Sequence, residues 1–412
     1  MLDYTSKSYG RNEEVADIYR QFEADRNLSM PGPRRLGKTF LLDRLVASSE
    51  KAGWVAVKVE VAGGSETRTF FRELCKEIER KRPVLSRAFA KVQQRLGQLI
   101  DPRPEHAEHW YQSLISLDHE TFFERVVAAL DNDMAHRWVL LIDELPIFLK
   151  ALHDKGPAGV EAARNFMNLF ARILAEYSRV RWMITGSIGL EPLAHQGNYM
   201  GVLAKFHLFE LQPLREAQAI EYVKDLALTG RLLHRRVITD LEARAIVHAV
   251  GWHAAYYLEA FALQLHGEPT DSSADVDVLI EEAMKRLLEP VNSATFGVWE
   301  EHLHKHYWPV DRQRSFNLLG ALAAESDGLS LSVLLARIGQ PALTIGDLRK
   351  LLQFQCRQRH LWHQVRLRLG QPVWMDLVRH HRWRRDVVSE QLAFADEETR
   401  CHFRVPFGRR GP

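Results

Sequence analysis

Between Met30 and Phe40 the sequence reads Met-Pro-Gly-Pro-Arg-Arg-Leu-Gly-Lys-Thr-Phe, and no other stretch constrains the chain so tightly. Gly32 and Gly37 stand five residues apart and Lys38-Thr39 follow at once. The run TFLLDRLVASSEKAG then has helical patterning up to a stop near Gly53. Such a loop suits phosphate. Glycine lets the backbone come close with no side chain in the way, several N–H groups can then point inward, and the helix behind adds a favourable dipole. Gly32, Pro33, Arg34, Arg35, Leu36, Gly37, Lys38 and Thr39, with Phe40 behind them, are therefore expected to wrap a phosphate. The Lys38 ammonium would neutralise charge on the outer phosphates, and the Thr39 hydroxyl would be a ligand to Mg²⁺. A strand should lead into the loop, yet Pro31 sits where a sheet residue is expected to supply an N–H.

A second stretch answers the first. VLLIDE, Val139 to Glu144, is an apolar run ending in two acids, best read as a buried strand. Alone, Asp143 and Glu144 could equally cap a strand or start a turn. Beside a phosphate loop, Asp143 is expected in the Mg²⁺ shell, and Glu144 is expected to orient and deprotonate an attacking water. A third stretch, MITGS, ends the next strand with Thr185 and Ser187. A hydroxyl there could reach the γ-phosphate or the water, or both could simply close a turn. Ser187 is the one assigned to the nucleotide.

Strand patterns over 54–63, 137–145, 180–187 and 205–214 alternate with helical patterns over 12–24, 67–81 and 162–178. That alternation argues for an α/β fold, a parallel sheet sandwiched by helices. After about Gln212 strand signals fade. Three helical stretches follow, LREAQAIEYVKDLALTG, TDLEARAIVHAVG and HAAYYLEAFALQLHG, and Pro269 to Asp277 reads as a linker. Three short helices and a strand or wing, HLWHQVRLRLG, come next. The expected domains are a nucleotide-binding core over 1–212, an all-α segment over 213–300 and a winged-helix-like domain with a basic tail over 301–412. From Gln353 to Pro412 twelve Arg face six acids.

Composition excludes more than it identifies. A net charge of +2 names no partner. Three cysteines, Cys75, Cys356 and Cys401, lie far apart and show no metal or disulfide spacing. His302, His304 and His306 alternate inside a helical pattern, so they share no face that could hold a metal. The start MLDYTSKSYGRNEE lacks the features of a signal peptide, and no apolar run approaches the ~18 residues of a membrane span. A cytoplasmic protein with no membrane partner is expected.

Read in order, these residues resemble the archaeal-type P-loop ATPases, a group within the STAND ATPases related to the origin-recognition branch of the AAA+ fold. YGRNEE, Tyr9 to Glu14, is similar to that family's Gly-Arg-x-x-Glu box near the adenine. GPRRLGKT is similar to its phosphate loop (Walker A), LLIDE to its Asp-Glu strand, and TGS to its sensor strand. FELQPLREAQAIEY resembles the opening of its helical lid, and Ala254 stands where the lid carries a proline. RLRLGQPVWMDLVRHHRW resembles its closing strand and aromatic, Arg-rich helix. The resemblance covers roughly residues 5 to 380. It implies a P-loop NTPase fold, ATP and Mg²⁺ as ligands, and a terminal winged helix over Asp311 to Leu369.

The function these expectations converge on is a slow P-loop ATPase that hydrolyses ATP to ADP and phosphate and acts as a nucleotide-dependent switch. Lys38 and Glu144 are its catalytic residues, Thr39 and Asp143 its metal ligands. The alternative is a nucleotide-gated module with little turnover whose C-terminal part binds DNA or a protein. Arg349, Lys350, Arg357 and Arg359 then contact nucleic-acid phosphates. Self-association is compatible with either.

Overall fold

The computed structural model describes residues 11–32, 34–81, 119–228, 236–251, 253–289 and 291–292, and shorter stretches beyond: 314, 317–318, 331–338, 344, 347–348, 363–365, 372–378, 381–386 and 401–403. Pro33, Tyr9, Gly10 and most of the Asp311–Leu369 winged-helix segment, with Arg349, Lys350, Arg357 and Arg359, lie outside them. Two compact units divide between Leu211 and Gln212, with Arg35–Gly37 belonging to the second.

The first unit runs α1 (Asn12–Glu23), β1 (Asn27–Pro31), α2 (Lys38–Ser48), β2 (Trp54–Glu60), α3 (Thr67–Arg80), α4 (His119–Asp131), β3 (Arg137–Asp143), α5 (Leu145–His153), α6 (Pro157–Glu176), β4 (Val180–Gly186), α7 (Leu190–Gly197), α8 (Met200–Leu203) and β5 (Phe206–Leu208). The five strands are parallel and lie in the order β2-β3-β4-β1-β5. β3 from Trp138 and the whole of β4 are buried, as befits central parallel strands covered on both faces. β1, a central strand, forms despite Pro31. The proline is its last residue, in register with Gly186, and the next bond comes from the Gly32 N–H to the Gly186 carbonyl at 3.0 Å. No ladder N–H is lost, because the proline falls at the strand's end.

Helices α3 to α6 share an aromatic core with the sheet. Phe70 meets Phe166 edge-on at 4.8 Å between centroids, and Phe170 meets Trp182 the same way at 4.8 Å. Each such pair adds about 0.5–1.5 kcal/mol beyond area burial. Phe148 of α5 lies in the same cluster, 5.5 Å from Phe70. These rings therefore hold α5, the helix that begins directly after the acidic pair.

In the second unit α9 (Glu216–Leu228), α10 (Asp240–Val250), α11 (Ala255–Ala262) and α12 (Ser273–Leu287) follow one another, and α13 (Leu331–Ile338) comes later. Pro269 to Asp277 is not a linker throughout. Ser272 caps α12, its hydroxyl accepting from the Asp275 N–H, and Ser273 to Asp277 are helical. Ser and Asp clusters mark helix starts as readily as loops, since both uses depend on a short side chain bonding the local backbone. β6 (His363–Val365) pairs antiparallel with β9 (Cys401–Phe403), and β7 (Pro372–Val378) with β8 (His381–Asp386). Where an Arg-rich helix was expected to close the chain, His381 to Asp386 is thus a strand. Trp374 and Met375 lie opposite Arg384 and Trp383 in the register, and backbone pairing of this kind is not visible in local helical patterning.

Candidate active site

The first unit brings the ends of β1, β3 and β4 side by side, and each ends in one of the three stretches singled out by sequence. The turn after β1 carries Gly37 at φ +96°, a conformation only glycine adopts without strain. Arg35 adopts φ +67° in the same turn. Leu36 is buried. It can serve a ligand only through its backbone, as a phosphate loop uses such positions. In the second unit the Arg35 guanidinium lies over the Tyr256 ring, 3.9 Å from its centroid. Phe40 is half-buried in the first turn of α2.

Lys38 is 5% exposed and its ammonium donates to the Gly32 carbonyl at 2.8 Å. Burial pushes its pKa down. The charges of Glu144 and Asp143 push it back up, and Arg34 opposes them. The Lys38 ammonium is thus buried among two carboxylates and a guanidinium.

Thr39 and Asp143, 104 residues apart, meet directly: the Thr39 hydroxyl donates to Asp143 Oδ2 at 2.8 Å. Asp143 is 1% exposed, and its other oxygen, Oδ1, accepts from the Thr185 hydroxyl. Glu144 follows in the left-handed region at φ 61°, ψ 36°, as the cap residue of α5. That turn takes its side chain off the strand direction. Its N–H donates to Thr185 Oγ1 at 3.3 Å, and its Oε2 accepts from the Ser187 N–H at 2.9 Å and the Ser187 hydroxyl at 2.8 Å. Gly186 lies between the two holding residues. A Cβ there would come within 2.4 Å of Pro146 Cγ, so glycine is required for α5 to start this close to β4.

Lys38, Thr39, Asp143, Glu144 and Ser187 are thus brought together. The hydroxyls of the third stretch bond to the two acids. The Thr185 hydroxyl is buried and committed to Asp143 and Glu144 rather than turned toward a phosphate. Ser187 spends both its donors on the Glu144 carboxylate. A threonine two residues before a serine at a strand's end, beside an acidic pair, was the available signal, since residues two apart share one face of a strand. At the start of α1 the boxed Arg11 pairs with Glu14 one turn on, at 2.8 Å.

The Mg²⁺ expected here can be tested against the donors present. Thr39 Oγ1 and Asp143 Oδ2 are hard oxygen donors 2.8 Å apart. Octahedral Mg²⁺ with bonds of about 2.0–2.1 Å requires neighbouring ligand oxygens about 2.9 Å apart. One carboxylate and one hydroxyl, with phosphate oxygens and waters completing the shell, is a donor set that suits this ion. The residues fit the group. Among the described residues no helix is long and apolar enough to cross a membrane.

No family model matches the sequence, and no curated protein is similar to it. Solved structures do match. A Walker-type ATPase of Pyrococcus abyssi is 16% identical, with 86% of this chain and 90% of that one aligned at a TM-score of 0.55. The ORC2 protein of Aeropyrum pernix in ADPNP–ADP complexes is 12% identical over 86% and 87%, at 0.48. The ORC1 protein of the same organism in complex with DNA is 14% identical over 89% and 88%, at 0.35. The two Aeropyrum proteins are too unlike this chain overall to carry an argument. With its parallel sheet, its phosphate-loop turn and its acidic strand end, the chain has the fold of a Walker-type ATPase.

Proposed function

We propose that this protein binds ATP with Mg²⁺, hydrolyses it slowly to ADP and phosphate, and uses the bound nucleotide as a switch. The observation that carries this reading is the direct bond between Thr39 and Asp143, with Lys38 and Glu144 beside it. We place the chain with the archaeal origin-recognition-related ATPases and the STAND group. We divide it into a core over 1–212, a lid over 213–300 and a winged-helix-like domain over 301–412, in a cytoplasmic protein.

The backbone N–H groups of Arg34 to Thr39 cradle the phosphates, and the Arg34 side chain adds charge beside them. Lys38 leaves the Gly32 carbonyl for a phosphate oxygen, exchanging a neutral acceptor for a charged one. Thr39 and Asp143 would hold the Mg²⁺, which would supply neutralisation of phosphate charge. Glu144 accepts the proton of the water that attacks the γ-phosphorus as the bridging P–O bond breaks. The Ser187 bonds hold Glu144 Oε2 and so orient the carboxylate, with Oε1 as the oxygen for this step.

Calorimetry with Mg-ATP and a phosphate-release assay test the reading. Lys38→Ala should weaken binding roughly 10- to 100-fold, the value of a hydrogen bond to a charged group. Glu144→Gln should keep binding and slow turnover by about 10²–10⁴. A flat calorimetric trace for the parent protein, or full-rate hydrolysis by Glu144→Gln, would overturn it.

The second reading is a nucleotide-gated module whose output is DNA or protein binding with turnover incidental. Salt-dependent binding of duplex DNA by the full chain, gated by ATP, distinguishes it.

A further inference from the structure

Thr185 belongs to none of the roles assigned above, yet it touches both acids. Its hydroxyl has one proton to give and two lone pairs to accept with. The proton goes to Asp143 Oδ1, and a lone pair takes the Glu144 N–H at 3.3 Å. The side chain is 2% exposed, so water does not compete for either bond. Its χ1 is stiff because the residue is β-branched and sits in a buried strand.

The consequence for Asp143 is geometric. With Oδ1 held by Thr185, the plane of the carboxylate is set, and Oδ2 is the oxygen left facing Thr39. Without that bond the carboxylate is free to rotate about its last torsion, and both oxygens trade places in front of the metal position. The consequence for Glu144 runs through the backbone. A non-glycine residue in the left-handed region is strained, because its Cβ crowds the following carbonyl oxygen. The Glu144 N–H bond to Thr185 is one of the contacts that keep it there.

We propose that Thr185 is a positioning residue for the metal: one buried hydroxyl orients the Asp143 carboxylate toward the Thr39–Mg²⁺ position and anchors the turn at Glu144. This inference rests on the nucleotide reading of the site. A metal-ligating carboxylate is commonly oriented by a partner of this kind, and removal of such a partner costs about 10- to 100-fold in metal affinity or activity. The rival reading is a buried hydroxyl that has merely found acceptors and matters only to folding.

The two readings separate in a binding measurement that needs no turnover. A fluorescent ATP analogue is titrated onto the full-length protein in EDTA, and then, at fixed nucleotide, Mg²⁺ is added back. Thr185→Val keeps the shape and removes the hydroxyl. It should leave the metal-free nucleotide affinity unchanged and raise the Mg²⁺ concentration at half-saturation by roughly 10- to 100-fold. Thr185→Ser, which restores the hydroxyl, should bring the Mg²⁺ midpoint back toward the parent value. If Thr185→Val does not fold, Thr185→Ala against Thr185→Ser gives the same comparison. An unchanged Mg²⁺ midpoint in a folded Val or Ala variant overturns the proposal, as does failure of Ser to restore it. Equal loss of metal-free and metal-bound affinity also overturns it, because that is general damage to the site. Absence of nucleotide binding by the parent protein with Mg²⁺ present is a different result, and it overturns the nucleotide reading itself.

Discussion

The residue on which the site turns is Glu144, because one left-handed backbone step directs an acid off the strand while its neighbour Asp143 stays in it. The step is crowded from the other side by Gly186, against which Pro146 rests. Gly186→Ala forces a Cβ within 2.7 Å of two ring carbons of Pro146, the second residue of α5. The expected cost is about 1–3 kcal/mol of stability, the usual price of overpacking. Turnover should fall more than nucleotide affinity does, since the phosphate loop itself is not displaced. Thermal unfolding together with kcat and Kd checks this; turnover equal to the parent would show that Pro146 gives way without moving Glu144.

At the scale of elements, α5 is held at its far end by a histidine. His153 Nδ1 and Nε2 lie 3.2 Å from Gln196 Oε1 and the Tyr199 hydroxyl, tying α5 to α7 and the turn into α8. Burial pushes the His153 pKa below the ordinary histidine range; Gln196 and Asp154 push it up and Lys150 down, and the lowering prevails. A lowered folded pKa means that the unfolded chain binds the proton first. Stability is therefore full above the unfolded value of about 6.5 and falls as pH drops below it toward the folded value. His253, also lowered by burial, acts in the same direction. His153→Gln should reduce, without abolishing, the fall in melting temperature between neutral pH and pH 5. An identical pH profile in the variant would remove His153 as a source.

For the whole molecule, the two units have separate internal supports. In the second, Glu242 is fully buried, closes a capping box with Thr239 at the start of α10, and is paired with Arg236 at 2.6 Å. Burial works to raise the Glu242 pKa, but Arg236 and the N–H groups of Thr239 and Thr270 outweigh it and hold the carboxyl below its ordinary value. Glu242→Gln leaves the Arg236 charge without its partner, at a cost of about 3–5 kcal/mol. Urea unfolding should show two steps. Glu242→Gln should move one of them, and Mg-ATP, acting where Lys38 lies, should stabilise the other. A single step moved equally by both would mean that the units unfold as one.

The phosphate loop and the acidic strand end were legible because their chemistry dictates residue type and spacing over a few neighbours. Gly37 has to tolerate positive φ, Lys38 and Thr39 have to stand at a helix start, and Asp143 has to end an apolar run. The start of α12 was misread because Ser272 and its neighbours serve caps and linkers alike. The β7–β8 ribbon escaped because cross-strand partners, not local periodicity, make it. The sequence by itself determined which short segments could meet a triphosphate. Only the tertiary structure decided that β4 lies between β3 and β1, and so that Thr185 and Ser187 bond to the two acids. The physical reason is that strand order is set by long-range burial and backbone pairing, to which every apolar strand contributes and which none specifies alone.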